Sequence, residues 1–341
     1  MLEHRDNIIE KESYQWEFEQ GDMIYAPICI IVYNRVDKIQ KVIECLSRNT
    51  LAKDSEVYIF SDAPKNEGAK QGVQEVRDYI YSLQQKKHGF KSLEIIEAQQ
   101  NLGIKNSVVK QGNFIFKEKG YDRFIGLEDD IETHNFFLQY MNDALTFYKD
   151  NQQVIAITAF THQEANLKSK TLKKYPHKVL FSYAFHSWGW GMWADRWEHI
   201  DWEKPDINWF LYNPKHWFYG NILSWLHLLA IRNSQKDRQV TELWDIYLSS
   251  VAYKQQKVCV WPSQLSYTRN FGFDGSGVHK FNFDENIVNF EFANPQEKLE
   301  FTHDINLNMW FHFKIGLRYG LEVWVFGFFK MFRNKILRIK K

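Results

Sequence analysis

The sequence predicts an α/β protein built on a doubly wound, mostly parallel sheet. Three observations point there. Short apolar runs of strand length alternate with helical patterns over the first 160 residues. The first run, 27–33, is a continuous apolar stretch, as suits a strand buried on both faces. Each of the first four runs also stops abruptly in polar residues, and in parallel α/β sheets ligands bind beyond the carboxyl ends of the strands.

In chain order, residues 1–24 form a polar lead-in without the apolar core of a signal peptide. The first strand covers 27–33 and ends in Tyr33-Asn34-Arg35, with a helix to about Arg48. The second, 56–60, ends in Ser61-Asp62 and feeds a long polar helix from about Glu67 to Lys86. The third, 93–97, leads through Asn101 and Gly103 into a helix reaching about Lys119. The fourth, 123–127, stops in Glu128-Asp129-Asp130; a helix at 135–149 and a strand at 154–158 complete the series.

The texture then changes. A Lys-rich loop at 163–178 precedes Phe185 to Trp197, a stretch dense in Trp and Gly. Helices are expected at 216–233 and 241–255, a strand at 258–261, and a Gly-rich loop from Thr268 to His279. The division is thus a lead-in (1–24), a nucleotide-binding half (25–160), an acceptor-side half packed on it (161–309) and a basic amphipathic tail (310–341).

Charge restricts the partners. The chain has 43 basic and 42 acidic residues, which argues against a nucleic-acid binder. The balance is uneven, because residues 311–341 alone hold eight Lys/Arg against a single acid, Glu322. The longest strongly apolar run in that tail, Val323 to Phe329, is far below the roughly 20 residues of a membrane span. A basic helix with aromatics suits the headgroup plane of an anionic membrane, which predicts a cytoplasmic protein held peripherally at the inner face of the plasma membrane. Cys29, Cys45 and Cys259 match no metal or disulfide spacing and read as buried thiols.

The chemistry concentrates at strand ends. Three consecutive acids directly after a buried strand are costly to crowd without a cation or donors. Hard divalent ions accept one or two such carboxylates and fill other positions with phosphate oxygens. A second carboxylate constellation, Glu242 and Asp245, opens the helix at 241–255.

On Glu128-Asp129-Asp130, and from about Pro27 to His279, the chain resembles glycosyltransferases of the GT-A fold. It is most similar to the β-1,2-N-acetylglucosaminyltransferase I type and related bacterial polysaccharide glycosyltransferases. The resemblance implies that Asp130 ligates Mn²⁺ (or Mg²⁺), and that Glu128 and Asp129 hold the ribose and donor sugar. It implies that Arg35 contacts the nucleotide and Asp62 accepts from a uracil N–H. Lys105 and Asn106 are donor-pocket candidates at a helix start, where backbone N–H groups suit phosphate. His279 could complete the metal or phosphate site. Asp245 matches the family's catalytic base, and an inverting transfer needs one carboxylate to take the acceptor hydroxyl's proton. The Trp-rich segment suits sugar stacking by one of Trp188, Trp190 and Trp193; His186 reads as structural.

The implied function is metal-dependent, inverting transfer of a sugar from a UDP-sugar to a glycan hydroxyl, on a free or lipid-linked acceptor, in bacterial surface polysaccharide or glycoconjugate synthesis. Two other classes compete. A sugar nucleotidyltransferase usually carries a Gly-rich loop after the first strand, and Tyr33-Asn34-Arg35 lacks one. A non-catalytic glycan-binding scaffold would not need both the acidic triplet and Asp245.

Overall fold

The computed structural model describes residues 25–86, 88–161, 177–204, 244–263, 266–272, 300–307 and 312. The polar lead-in, most of the Lys-rich loop, the expected helix at 216–233, His279 and the tail apart from His312 fall outside the described residues.

The strands are β1 (Ile28–Val32), β2 (Glu56–Ser61), β3 (Ser92–Glu97), β4 (Arg123–Glu128), β5 (Ile131–Thr133), β6 (Val154–Thr158), β7 (Val179–Ser182), β8 (Trp190–Trp193), β9 (Val258–Pro262) and β10 (Thr268–Asn270). The helices are α1 (Val36–Ser47), α2 (Lys70–Gln84), α3 (Gly103–Asn113), α4 (Phe137–Phe147), α5 (Ala194–Trp197) and α6 (Trp244–Gln255). One eight-stranded sheet has the order β3-β2-β1-β4-β8-β6-β9-β7, and β10 pairs with β5 in a small antiparallel ribbon.

β1, β2, β3 and β4 run parallel to one another. β8 runs antiparallel between β4 and β6, and β7 is antiparallel to β9 at the far edge. Because β6 and β9 are parallel to each other, six of the eight strands share one direction and the sheet is mostly parallel, as expected. Strands from both sides of residue 160 share this sheet, so that boundary does not interrupt the hydrogen-bonded core.

Burial follows position. Central β1, β6 and β9 are buried at every residue, whereas edge strand β3 is partly exposed and keeps Glu94 and Glu97 in ion pairs with Lys119 and Arg77. α1 covers the sheet with Ile39, Val42, Ile43 and Leu46 at helical spacing. The three cysteines are buried free thiols, with Cys45 Sγ accepting from Arg48 Nη2 at 3.3 Å. Among the described residues no helix is long and apolar enough to cross a membrane.

The Trp-rich segment is largely core. Trp190 and Trp193 are about 1 % exposed and belong to β8, in the middle of the sheet. Trp190 pairs in register with Gly126, where an added Cβ would come within 2.5 Å of the indole. Glycine in β4 therefore makes room for a large ring on the neighbouring strand. Of the three tryptophans from which one was expected to stack a sugar, only Trp188 keeps exposure; its ring packs edge-on against Phe160 and His186.

Candidate active site

The carboxyl ends of the parallel strands line up. Ile31 is level with Phe60 and with Glu128, and Ser61 is level with Glu97. Arg35, Asp62, the 98–103 loop and the Glu128–Asp130 triplet therefore sit along one side of the sheet, where β1, β2, β3 and β4 stop.

Glu128 is the last residue of β4, and Asp129 and Asp130 turn the chain into β5. Both aspartates are buried, at 5 % and 7 % exposure. Arg35, between β1 and α1, reaches across to them. Its Nη2 donates to Asp129 Oδ1 and, at 2.9 Å, to Asp130 Oδ2, while Nε donates to Asp129 Oδ2 at 3.4 Å. Burial works against the guanidinium's charge, but Asp129 and Asp130 outweigh it and hold Arg35 firmly protonated. Arg35 Nη1 is buried without a hydrogen-bond partner.

Asp130 is also fixed from β10. Asn270 Nδ2 donates to Asp130 Oδ1 at 3.2 Å, and Phe271 N donates to the Asp130 carbonyl at 3.0 Å. Gly272 then passes so close that an added Cβ would fall 2.1 Å from Asp130 Oδ2. Phe271 itself lies against α1, with Lys41 Nζ 4.3 Å and Lys38 Nζ 5.3 Å from its ring centre.

Asp245 of the second acid constellation comes from α6, and Glu242, its competitor, lies outside the described residues. Trp244 anchors that helix start, packing against Phe185 at 5.3 Å and Trp190 at 5.4 Å between ring centres. Ser249 Oγ, one turn on, accepts from Phe185 N and donates to the Asp245 carbonyl, tying α6 to the segment before β8. Asp245 consequently lies near enough to Glu128 for their charges to repel. Burial, then Asp130, Asp245 and Asp129, push the Glu128 carboxyl up to about 8, while a hydrogen bond from Ser187 opposes them. Asp129 is raised by burial and Asp130 against the lowering effect of Arg35. Two of these four carboxylates, Asp129 and Asp130, face the Arg35 guanidinium.

Asp62 is bonded quite differently. Its Oδ1 accepts from Ala63 N and Leu102 N, both at 2.8 Å; its Oδ2 accepts from Gly103 N and Asn101 Nδ2, both at 3.0 Å. Each oxygen has two partners, which fills the carboxylate's acceptor capacity. With these bonds Asp62 fixes the turn that starts α3, where Gly103 adopts φ +70°, a backbone conformation natural to glycine. Lys105 follows in the first turn of α3 and is partly exposed, and Asn106 Nδ2 folds back onto the Leu102 carbonyl at 2.9 Å.

The structure brings Arg35, Glu128, Asp129, Asp130 and Asp245 together and leaves Asp62 and Lys105 further along the same side of the sheet. Ser187, Asn270 and Gly272 join the acidic site without having been anticipated; the glycine closing the strand-like 268–272 stretch was the one available signal. As a cation site the donors are of the right kind: buried carboxylate oxygens, carrying more negative charge than Arg35 offsets. Among the described residues no three His, Cys, Asp or Glu side chains converge on one point, so a divalent ion here would take part of its shell from substrate oxygens.

No protein-family model and no curated protein matches the chain. Solved structures do. Residues 1–349 of S. aureus TarS align over 72 % of this chain and 60 % of that one, with 11 % identity and a TM-score of 0.39. A mannosyltransferase from Pyrobaculum calidifontis, in complex with GDP-Man and Mn²⁺, aligns over 71 % and 78 %, with 11 % identity and a TM-score of 0.36. A glucosyl-3-phosphoglycerate synthase from Mycobacterium tuberculosis, in complex with Mn²⁺, UDP and glucosyl-3-phosphoglycerate, aligns over 50 % and 57 %, with 8 % identity and a TM-score of 0.32. The chain spans less than two thirds of the TarS and synthase structures. Likenesses this distant carry no argument about activity; the sheet order and the acidic site stand on the chain's own geometry.

Proposed function

We propose that the protein is a metal-dependent glycosyltransferase that moves a sugar from a nucleotide diphosphate, UDP in the first instance, to a hydroxyl of a glycan acceptor, with inversion at the anomeric carbon. The observation that carries this reading is that Asp245, at the start of α6, lies near enough to Glu128, in the acidic triplet at the end of β4, for their charges to interact. Two roles need carboxylates in such a reaction, and this arrangement supplies both from separate elements.

Asp130, with Asp129 beside it, would hold a divalent cation, which neutralises charge on the departing diphosphate. Arg35 adds a permanently charged planar donor suited to phosphate. Glu128, flanked by acids and by Ser187, is placed to accept from sugar or ribose hydroxyls. Asp245 is the candidate base: its Oδ1 accepts from Ile246 N at 2.9 Å, which orients the carboxylate at the head of α6. It would take the acceptor proton as the hydroxyl oxygen attacks, while the diphosphate leaves. Asp62 contributes by holding the Asn101–Gly103 turn, and Lys105, partly exposed in the first turn of α3, would contact the nucleotide's phosphates. His279 remains a proposed phosphate or metal contact.

A panel of UDP- and GDP-sugars tests the reading. One of them should raise the melting temperature and be turned over in Mn²⁺ but not in EDTA. Stabilisation by none of them, with or without Mn²⁺, would contradict it.

A further inference from the structure

The guanidinium of Arg35 occupies the position a metal ion would be expected to compete for. Its Nη2 bridges one oxygen of Asp129 and one of Asp130, the same pair of acids that would face a divalent cation. The bridge is charge-assisted and its side chains are mostly buried, at 18 %, 7 % and 10 % exposure, so it is stronger than an exposed pair. The second terminal nitrogen, Nη1, is buried with no acceptor, although the remaining donors of the guanidinium are engaged. A donor left in that state costs free energy that a phosphate oxygen could recover.

We propose that Arg35 is a tethered counter-cation that guards Asp130: it neutralises the acidic site while no ligand is bound and opposes entry of a divalent ion alone. A nucleoside diphosphate relieves the opposition by giving the guanidinium a second anion. Cation and nucleotide then bind cooperatively, each weak without the other. The proposal rests on the reading of Asp130 as a cation ligand, but adds a coupling that depends on Arg35. By reciprocity, whatever factor the nucleotide adds to cation affinity the cation adds to nucleotide affinity.

The test is a calorimetric cycle on the full chain, with Mn²⁺ and UDP titrated singly and together into wild type, Arg35→Gln and Arg35→Lys. Wild type should bind Mn²⁺ weakly and gain affinity with UDP present by about 5–150-fold, the usual range of such couplings. Arg35→Gln should bind Mn²⁺ alone more tightly than wild type and lose most of the coupling. Arg35→Lys, a point charge unable to bridge both acids, should fall between. Should Arg35→Gln not fold in EDTA, refolding it in Mn²⁺ gives the same answer, because an ion that replaces the guanidinium should restore the folded yield. Equal Mn²⁺ affinity and equal coupling in wild type and Arg35→Gln would overturn the guard while leaving the cation site standing. Absence of Mn²⁺ binding in every protein, with UDP present, would overturn both.

Discussion

The carboxylate after β2 and the carboxylates after β4 stand on the same side of one sheet, separated only by β1, and their surroundings are opposite. Asp62 accepts four hydrogen bonds, three of them from backbone N–H groups. Asp129 and Asp130 share one arginine, while Glu128 beside them meets a fourth acid, Asp245. A saturated carboxylate holds a loop; a crowded set stores repulsion that a cationic ligand can relieve. Similar residues at equivalent strand ends are therefore held in opposite states, one saturated by its own backbone and the other left crowded, which is the contrast the proposed ligand site rests on.

Changes on the two sides of this contrast should separate activity from stability. The largest effect is expected at Asp245. Asp245→Asn should lower turnover by about 10²–10⁴ while leaving nucleotide affinity nearly unchanged, the signature of a lost general base. A parallel loss of nucleotide binding would move Asp245 to the structural side.

Asp62→Ala should do the reverse. It strands four donors and should destabilise the fold by about 2–4 kcal/mol in urea titrations. Binding should weaken only as the Asn101–Gly103 turn loosens. A stable variant that has lost nucleotide binding would return Asp62 to direct contact.

Glu128→Gln should be the mildest in stability and of opposite sign. Above about pH 8, where Glu128 is ionised, removing one of four repelling charges should leave the metal-free protein as stable as wild type or about 1 kcal/mol more stable, at the expense of function. The pH dependence gives the same contrast. The folded-state Glu128 carboxyl is raised to about 8 from an ordinary 4.5, so the folded chain binds the extra proton in that window. Its contribution to stability in EDTA falls as pH rises from about 4.5 to about 8, and Glu128→Gln should flatten that slope. An unchanged slope would mean that Glu128 does not share the electrostatics of the site.

Much of this was legible in the sequence because the physics was local. β1, β2, β4, β6 and β9 read as short apolar runs bounded by polar stops, and α1 as an amphipathic repeat. β5, β7, β8 and β10 are only three or four residues long, too short for periodicity to register. β8 was hidden for another reason: its tryptophans suggested a sugar platform, and only Gly126 across the ladder reveals that Trp190 is a core ring. Asp62 could not be read because its donors Leu102 and Gly103 lie 40 and 41 residues on. The acids at the end of β4 were visible as a motif, but Asn270 and Ser187, which complete their surroundings, come from elements that only folding brings near.

The central claim is that the acids after β4 form a cation-assisted nucleotide site, and Asp130 is where it can be tested most directly. UDP affinity should be measured by calorimetry with and without Mn²⁺ in wild type and in Asp130→Asn. The account predicts a Mn²⁺-dependent rise in wild type that disappears in a variant with an unchanged fold. A rise of the same size in Asp130→Asn would contradict it.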